Sequence, residues 1–371
     1  MPELYIGLMS GTSMDGIDAA LFDLSGDQAR LLASHCMKYS HALHAQLEAA
    51  LRIVEPRSAD LDELDRLVGE HFAAAANELL KIAHVPADRV TAIGSHGQTI
   101  RHEPDAPDPY SLQIGSAAVI SEHTGIDTVS DFRSADITAG GQGAPLVPAF
   151  HAAVFRRTNE NRVIVNIGGI ANITVLPADT TEPVTGFDTG PGNTLMDIWI
   201  HRHRGEPYDL NGEWAGSGRH DVRLLAAMLH DPYFRSPPPK STGREHFNQA
   251  WLSSHLQGAA RKNNDVQATL CELTAVSVAD AIEQYAPATQ RVLVCGGGAH
   301  NNYLMQRLAA SLPDMPVTST GTVGLDPDWV EAAAFAWLAK QHLAGKPGNI
   351  PEVTGAREPV VLGTLYKHGE L

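Results

Sequence analysis

Apolar positions along the chain come in short dense runs, and clusters of glycine separate them. Residues 4–9 and 17–24 have the uninterrupted apolar character of buried strands, joined by the small-residue turn Ser10 to Gly16. Residues 29–39 supply a third strand. From Asp60 the period changes: Leu61, Leu64, Leu67, Val68, Phe72, Ala75, Leu79 and Ile82 recur at helical spacing, with Asp60 and Glu63 as a capping box at the start. Residues 90–95 predict a short buried strand running into His96-Gly97-Gln98-Thr99. A helix near 116–123 and a strand at 127–132 follow.

The Gly/Ala/Pro-rich stretch 139–145 predicts a loop near a domain boundary. After it the opening pattern returns, with a strand at 162–166, a glycine turn at 167–172 and a return strand at 173–176. Two strand–glycine turn–strand units predict a duplicated α/β architecture. The expected domains are 1–138, rejoined by 345–371, and 139–344. Within the second, strands are expected at 184–188 and 291–295. Helices are expected after Asn193, over 270–285, from about 301 and over 328–344, with long loops at 208–218 and 232–243.

Composition narrows the function classes. A chain of 371 residues calls for two cores, and 43% apolar with 19% charged residues fits an ordinary globular protein. A net charge of −16 disfavours nucleic acid and anionic membrane as partners. Three cysteines without CxxC spacing argue against disulfides and zinc knuckles. No apolar stretch has the length of a membrane span or the form of a signal peptide, so the expected location is cytoplasmic.

Three glycine-rich turns follow buried strands: Ser10 to Gly16, Ile167 to Asn172, and Gly296 to Asn301. Glycine lets a backbone approach a ligand, and its exposed N–H groups can cradle phosphate. Gly168, Gly169, Asn172, Gly296, Gly297 and Gly298 are therefore candidate phosphate contacts, and the hydroxyls of Ser10, Thr12 and Ser13 suit a triphosphate. Neither a GxxxxGK[ST] loop nor a GxGxxG after the first strand is present. Asp188, at a strand end before Thr189-Gly190-Pro191-Gly192-Asn193, suits a general base or a cap for the helix beyond. Glu331 reads equally as a buried acid holding hydroxyls or as a solvated first-turn residue. Arg133 can meet a carboxylate or phosphate, or pair with Asp131 or Asp136, and His96 can carry protons or be structural.

The segments Gly7 to Asp18, Ser95 to Thr99, Asp131-Phe132-Arg133, Gly140 to Pro148, Asn166 to Asn172, Phe187 to Asn193 and Cys295 to Asn301 resemble, in order and over nearly the whole chain, the motifs of the anhydro-N-acetylmuramic acid kinases. The resemblance implies the actin/hexokinase/Hsp70 (ribonuclease H-like) fold, two related α/β domains around a nucleotide cleft. It implies a homodimeric, cytoplasmic enzyme of peptidoglycan recycling that uses ATP and Mg²⁺ to convert 1,6-anhydro-N-acetylmuramic acid to N-acetylmuramic acid 6-phosphate. By position it gives Gly11, Thr12, Ser13, Met14, Asp15, Gly16, Ile17 and Asp18 the ATP-binding role and Asp188 that of catalytic base. His96, Arg133 and Glu331 are then the residues expected to hold the sugar. Met9 and Asn166 stand where the wider superfamily often has Asp, which leaves Asp15, Asp18 or Asp188 to serve the metal through water. A related sugar or acetate-type kinase, an ATP-driven module and a plain glycoside hydrolase pairing Asp188 with Glu331 are the alternatives.

Overall fold

The structure, a computed structural model, describes residues 2–11, 14–26, 28–53, 58–258 and 260–370. Of residues 58–60 it describes the backbone alone, so the Asp60 part of the expected capping box lies outside it. The chain divides into two compact units, Met1–Val154 with Trp329–Leu371, and Phe155–Asp328.

Among the described residues the first unit holds a seven-stranded mixed sheet. Its strands are β1 (Leu4–Ser10), β2 (Gly16–Asp23), β3 (Arg30–Lys38), β4 (Val90–Glu103), β5 (Tyr110–Ile114), β6 (Thr128–Ser130) and a closing strand Thr364–Tyr366. β1, β2 and β3 form an antiparallel meander, and β4 then β6 add in parallel on the other side of β1. The helix Ser58–Ala83 covers one face, burying Phe72, Ala75 and Leu79. The helix Val330–Leu343 packs on β1 and β4. Two glycines make that approach possible. A Cβ on Gly7 would sit 1.8 Å from the Ala332 carbonyl oxygen, and one on Gly94 would sit 2.0 Å from that of Phe335. Gly7→Ala must therefore push the helix off the sheet. It is expected to cost more than about 2 kcal/mol, read as a lower urea midpoint, because overpacking a close backbone contact cannot be relieved by a rotamer. An unchanged midpoint would mean that the helix can lift without loss.

The second unit holds β7 (Arg162–Ile167), β8 (Ile170–Leu176), β9 (Thr185–Pro191), β10 (Arg291–Cys295) and β11 (Val317–Ser319), in the order β11-β10-β7-β8-β9. Here too three antiparallel strands come first, and two parallel strands then add beside the first of them. The two units thus share one connectivity, the duplicated α/β architecture that the repeated strand–turn–strand pattern predicts, of the ribonuclease H-like type that the resemblance implies. The long helix Asn263–Tyr285 is buried over most of its length against β8 and β9.

Several elements differ from expectation. β4 runs past the expected end at Ser95 to Glu103, with Gln98 and Ile100 facing inward. The helix expected over 270–285 begins at Asn263, and polar residues of its second turn are buried on partners from elsewhere: Gln267 Nε2 donates to Asp209 Oδ2 (3.2 Å), and Thr269 Oγ1 accepts from the Asp221 N–H (2.9 Å). The expected loops contain short helices at Glu213–Gly216 and Pro232–Arg235. The glycine-rich stretch 139–145 lies inside the first unit. Among the described residues no helix is long and apolar enough to cross a membrane.

Candidate active site

In the second unit the chemistry gathers at β9. This strand is an edge of its sheet, and a bulge interrupts its register with β8 between Ala171 and Asn172, so that Asn172 pairs with Asp188. The segment after Pro239 lies along the free edge. The Asp188 N–H donates to the Lys240 carbonyl (3.2 Å), and the Thr242 N–H donates to Asp188 Oδ2 (3.0 Å). Tyr233 Oη donates to the Asp188 carbonyl (2.6 Å). Asp231 fixes this segment in turn, accepting from the Tyr233 N–H (2.9 Å), Trp251 Nε1 (2.8 Å) and His246 Nε2 (3.0 Å).

Asp188 is half-buried. Burial pushes its pKa up to about 6, the nearby Glu245 adds to the rise, and the Thr242 N–H and Lys240 oppose it. Lys240 Nζ donates to the Tyr233 carbonyl (3.1 Å) and stands over the Tyr233 ring (4.7 Å). The carboxylate makes no bond to the helix Thr194–Arg204, so it does not serve as its cap; among the described residues only Oδ2 is held, which leaves Oδ1 for a ligand. A carboxylate gripped on one oxygen and ready to ionise near neutrality has the properties of a general base.

The glycines divide by role. Gly168 faces open space, with nothing nearer a built Cβ than the Ile170 carbonyl at 3.8 Å. Gly296 and Gly298 are glycine for packing: a Cβ would lie 2.4 Å from Asn166 Oδ1 in the first case and 2.3 Å from Ile167 Cγ2 in the second. Gly297 is open, and it lines a cavity of about 590 Å³ with Asn193, Met196, Tyr208, Leu210 and His300.

In the first unit the residues expected to hold a sugar come together. His96 is buried, and burial, then the charge of Arg133, holds its pKa down at about 3, so the ring is neutral. Its Nδ1 lies 2.9 Å from the Gly97 carbonyl and its Nε2 lies 2.8 Å from Arg133 Nη2. Because a guanidinium only donates, Nε2 is the acceptor and Nδ1 carries the hydrogen. Arg133 Nη1 donates to the Gly143 carbonyl (2.8 Å). Neither Asp131 nor Asp136 pairs with it. Asp131 accepts from Ser134 Oγ (2.6 Å), and Asp136 from the Gly143 N–H (2.8 Å), Asn349 (2.7 Å) and Thr354 (2.7 Å). Arg133 Nε is buried without a hydrogen-bond partner among the described residues. Burial lowers the Arg133 pKa to about 10, against the pull of Glu331 and Asp136. Burial raises the pKa of Glu331; Asp18 raises it further, and Arg133 opposes. Beside them a hollow of about 380 Å³ is lined by His96, Gly97, Gln113, Ser116, Asp131 and Ser134.

The hairpin Gly11 to Asp18 is only partly open to a ligand. Thr12 and Ser13 lie outside the described residues. Met14 and Ile17 put their side chains in the core, and the Met14 N–H donates to the Gly11 carbonyl (3.1 Å). Gly16 packs under the Met37 carbonyl, 2.5 Å from where its Cβ would be. Asp15 is exposed, and Asp18 pairs in register with Met9. Ser10, one of the hydroxyls expected to meet a triphosphate, is instead buried in a chain of bonds with Tyr39 (3.0 Å) and Gln98 (2.7 Å) that ties the hairpin to β4.

Thr242, Lys240 and Tyr233 are absent from the sequence-based site because their link to Asp188 is largely main-chain and spans 45 to 54 residues. The available signal was compositional: Pro237-Pro238-Pro239 followed by Lys-Ser-Thr-Gly-Arg-Glu concentrates polar chemistry in a stiffened loop.

The model of one family, anhydro-N-acetylmuramic acid kinase, matches residues 3–368. An anhydro-N-acetylmuramic acid kinase of Xanthomonas campestris pv. campestris (strain 8004) is 52% identical over 367 residues, 98% of this chain and 97% of that one. One of Shewanella sp. (strain ANA-3) is 52% identical over 98% of each chain. Among solved structures, component A of the Acidaminococcus fermentans (R)-2-hydroxyglutaryl-CoA dehydratase aligns over 90% of this chain and 96% of its own, with 12% identity and a TM-score of 0.49. With identity above half across almost its entire length, the chain belongs to the anhydro-N-acetylmuramic acid kinase family.

Proposed function

We propose that this protein is a cytoplasmic, homodimeric kinase of peptidoglycan recycling. It opens the 1,6-anhydro ring of anhydro-N-acetylmuramic acid with water and phosphorylates O6 from ATP, giving N-acetylmuramic acid 6-phosphate and ADP. The observation that carries this reading is Asp188, held by one oxygen and raised to about 6. Asp188 takes a proton from the water that attacks C1, as the base does in inverting glycosidases. The C1–O6 bond breaks, and O6 becomes the nucleophile toward the γ-phosphorus as ADP leaves.

The other residues bind and orient. Arg133, its Nε unpartnered, receives the lactyl carboxylate, and His96 fixes its plane. Glu331 accepts from sugar hydroxyls. Gly168 offers open backbone to the phosphates, with Gly169 beside it, and the hairpin Gly11 to Asp18 is assigned the same ligand on the family resemblance. Gly297, at the 590 Å³ cavity, serves the nucleoside side. Among the described residues no three His, Cys, Asp or Glu side chains converge into a metal cage. Mg²⁺ carried on a triphosphate needs none, since one or two carboxylates and water complete its shell. Asp15, Asp18 or Asp188 would hold it through water, and the ion would draw charge from the phosphates.

The test is turnover in oxygen-18 water with ATP and the anhydro sugar, followed by mass analysis. The label is expected at C1 of a phosphorylated sugar and not in phosphate. Ring opening without ATP would instead favour the hydrolase alternative, and labelled inorganic phosphate would mean that ATP is hydrolysed separately.

A further inference from the structure

We infer that Arg244 is a catalytic residue that grips the transferring phosphoryl group at the Gly168–Gly169 turn, with the Thr194 hydroxyl as its partner. This rests on the kinase reading above and adds a residue that the sequence did not single out.

Arg244 follows two residues after Thr242, whose N–H is bonded to Asp188, and precedes Phe247, which is fully buried. Its backbone is thus anchored on both sides. The guanidinium lies over the turn: Nη2 and Nε stand 3.5 and 3.6 Å from the point that a Cβ on Gly169 would occupy. The side chain is exposed and makes no hydrogen bond or ion pair among the described residues, although Glu245 is its neighbour in sequence. A guanidinium that passes over a carboxylate in so acidic a chain is available to an anion from outside.

Thr194 supplies the independent observation. It is 5% exposed, and its Oγ1 is buried with no hydrogen-bond partner among the described residues. That oxygen lies 2.7 Å from the same Gly169 Cβ point. An orphaned hydroxyl in so enclosed a place costs free energy unless a ligand satisfies it. Thr194 also opens the eleven-residue helix Thr194–Arg204, whose first turn has no side-chain cap from Asn193. Asn193 spends its amide on the Ile167 carbonyl (3.2 Å) instead. The Asn193 and Thr194 N–H groups are spent on the Gly168 and Gly169 carbonyls (2.8 and 3.2 Å), so the orphan hydroxyl and the planar five-donor cation, which meet where Gly169 carries no side chain, are what make a site for a tetrahedral dianion or its trigonal transition state. Because the segment carrying Arg244 also carries Thr242, one loop sets the general base and the phosphoryl clamp together.

The test compares nucleotide affinities and turnover in the full-length protein. Binding of ADP and of the non-hydrolysable imidotriphosphate analogue of ATP is measured by calorimetry for wild type and Arg244→Ala. Affinity for the triphosphate analogue is expected to fall about ten- to hundredfold while that for ADP holds within about twofold, since only the former has the third phosphate. Turnover with the anhydro sugar is expected to fall at least about a hundredfold with little change in its KM, as when an oxyanion donor is lost. Added guanidinium ion should restore part of it. Equal losses for both nucleotides, or unchanged affinity and turnover, would overturn the assignment. Should Arg244→Ala fail to fold, Arg244→Lys carries the same comparison, with a smaller but still triphosphate-selective loss expected and an unselective one counting against it. If the nucleotide result holds but wild type leaves the anhydro sugar untouched, the phosphoryl contact stands and the proposed substrate falls.

Discussion

Asp188→Asn is expected to lower kcat by about 10³- to 10⁴-fold while ATP binding stays within about twofold, the upper part of the range a positioned general base contributes. The substitution is close to isosteric. The Thr242 N–H, 3.0 Å from Oδ2, keeps an acceptor in the amide oxygen, and the main-chain bonds to Lys240 and Tyr233 are untouched. What disappears is the capacity to take a proton from water. The wild-type pH profile carries the same information. A carboxyl raised to about 6 is protonated and useless as a base below that pH and ionised above it. The rate should therefore climb through about pH 6 and level off toward 7, and the Asn variant should lack that limb. Near-normal turnover in the variant, or a wild-type rate flat from pH 5 to 7, would remove Asp188 from the role.

How much of this was visible in the sequence depends on the range of the interaction. β1, β7 and β10 are apolar runs ended by glycine and β2 is one that starts from it, and each lies close to where the pattern puts it. The duplicated connectivity follows from two such runs with the same turn after them. β4 was legible only to Ser95, because beyond it buried positions are filled by Gln98 and His96, whose partners, Ser10 and Arg133, are 88 and 37 residues away. The helix Asn263–Tyr285 was truncated for the same reason. Asp188 and Glu331 stood out as carboxylates in apolar surroundings, but their electrostatics were not legible. The rise at Asp188 depends on enclosure by a proline-rich loop, and that at Glu331 on a helix brought onto β1 and β4 at Gly7 and Gly94. Arg133 was as ambiguous in the sequence as Glu331, since the neighbouring Asp131 and Asp136 invited a plain ion pair. The structure resolves the ion-pair question alone, by occupying both carboxylates with other donors.

That resolution makes Arg133 the second large prediction. Arg133→Met is expected to lower kcat/KM for the anhydromuramic substrate by about 10³-fold, mostly through KM, because removing one partner of a desolvated charge pair leaves the other unpaired. The loss should depend on the lactyl carboxylate. With 1,6-anhydro-N-acetylglucosamine, which lacks the lactyl group, wild type should already be slow, and the substitution should cost no more than about threefold, the mark of a coupling confined to one pair. Arg133 is also tied to His96 and Gly143, so thermal melts must show the variant folded. Arg133→Lys serves where it is not, since an ammonium keeps the charge and loses the fork. His96→Gln keeps an acceptor toward Arg133 and should retain most activity, whereas His96→Leu should approach Arg133→Met in KM without altering the pH limb set by Asp188. An equal loss for both sugars would move Arg133 from carboxylate recognition to support of the loop at Gly143. Nε would then be left as a buried donor with no function to explain it.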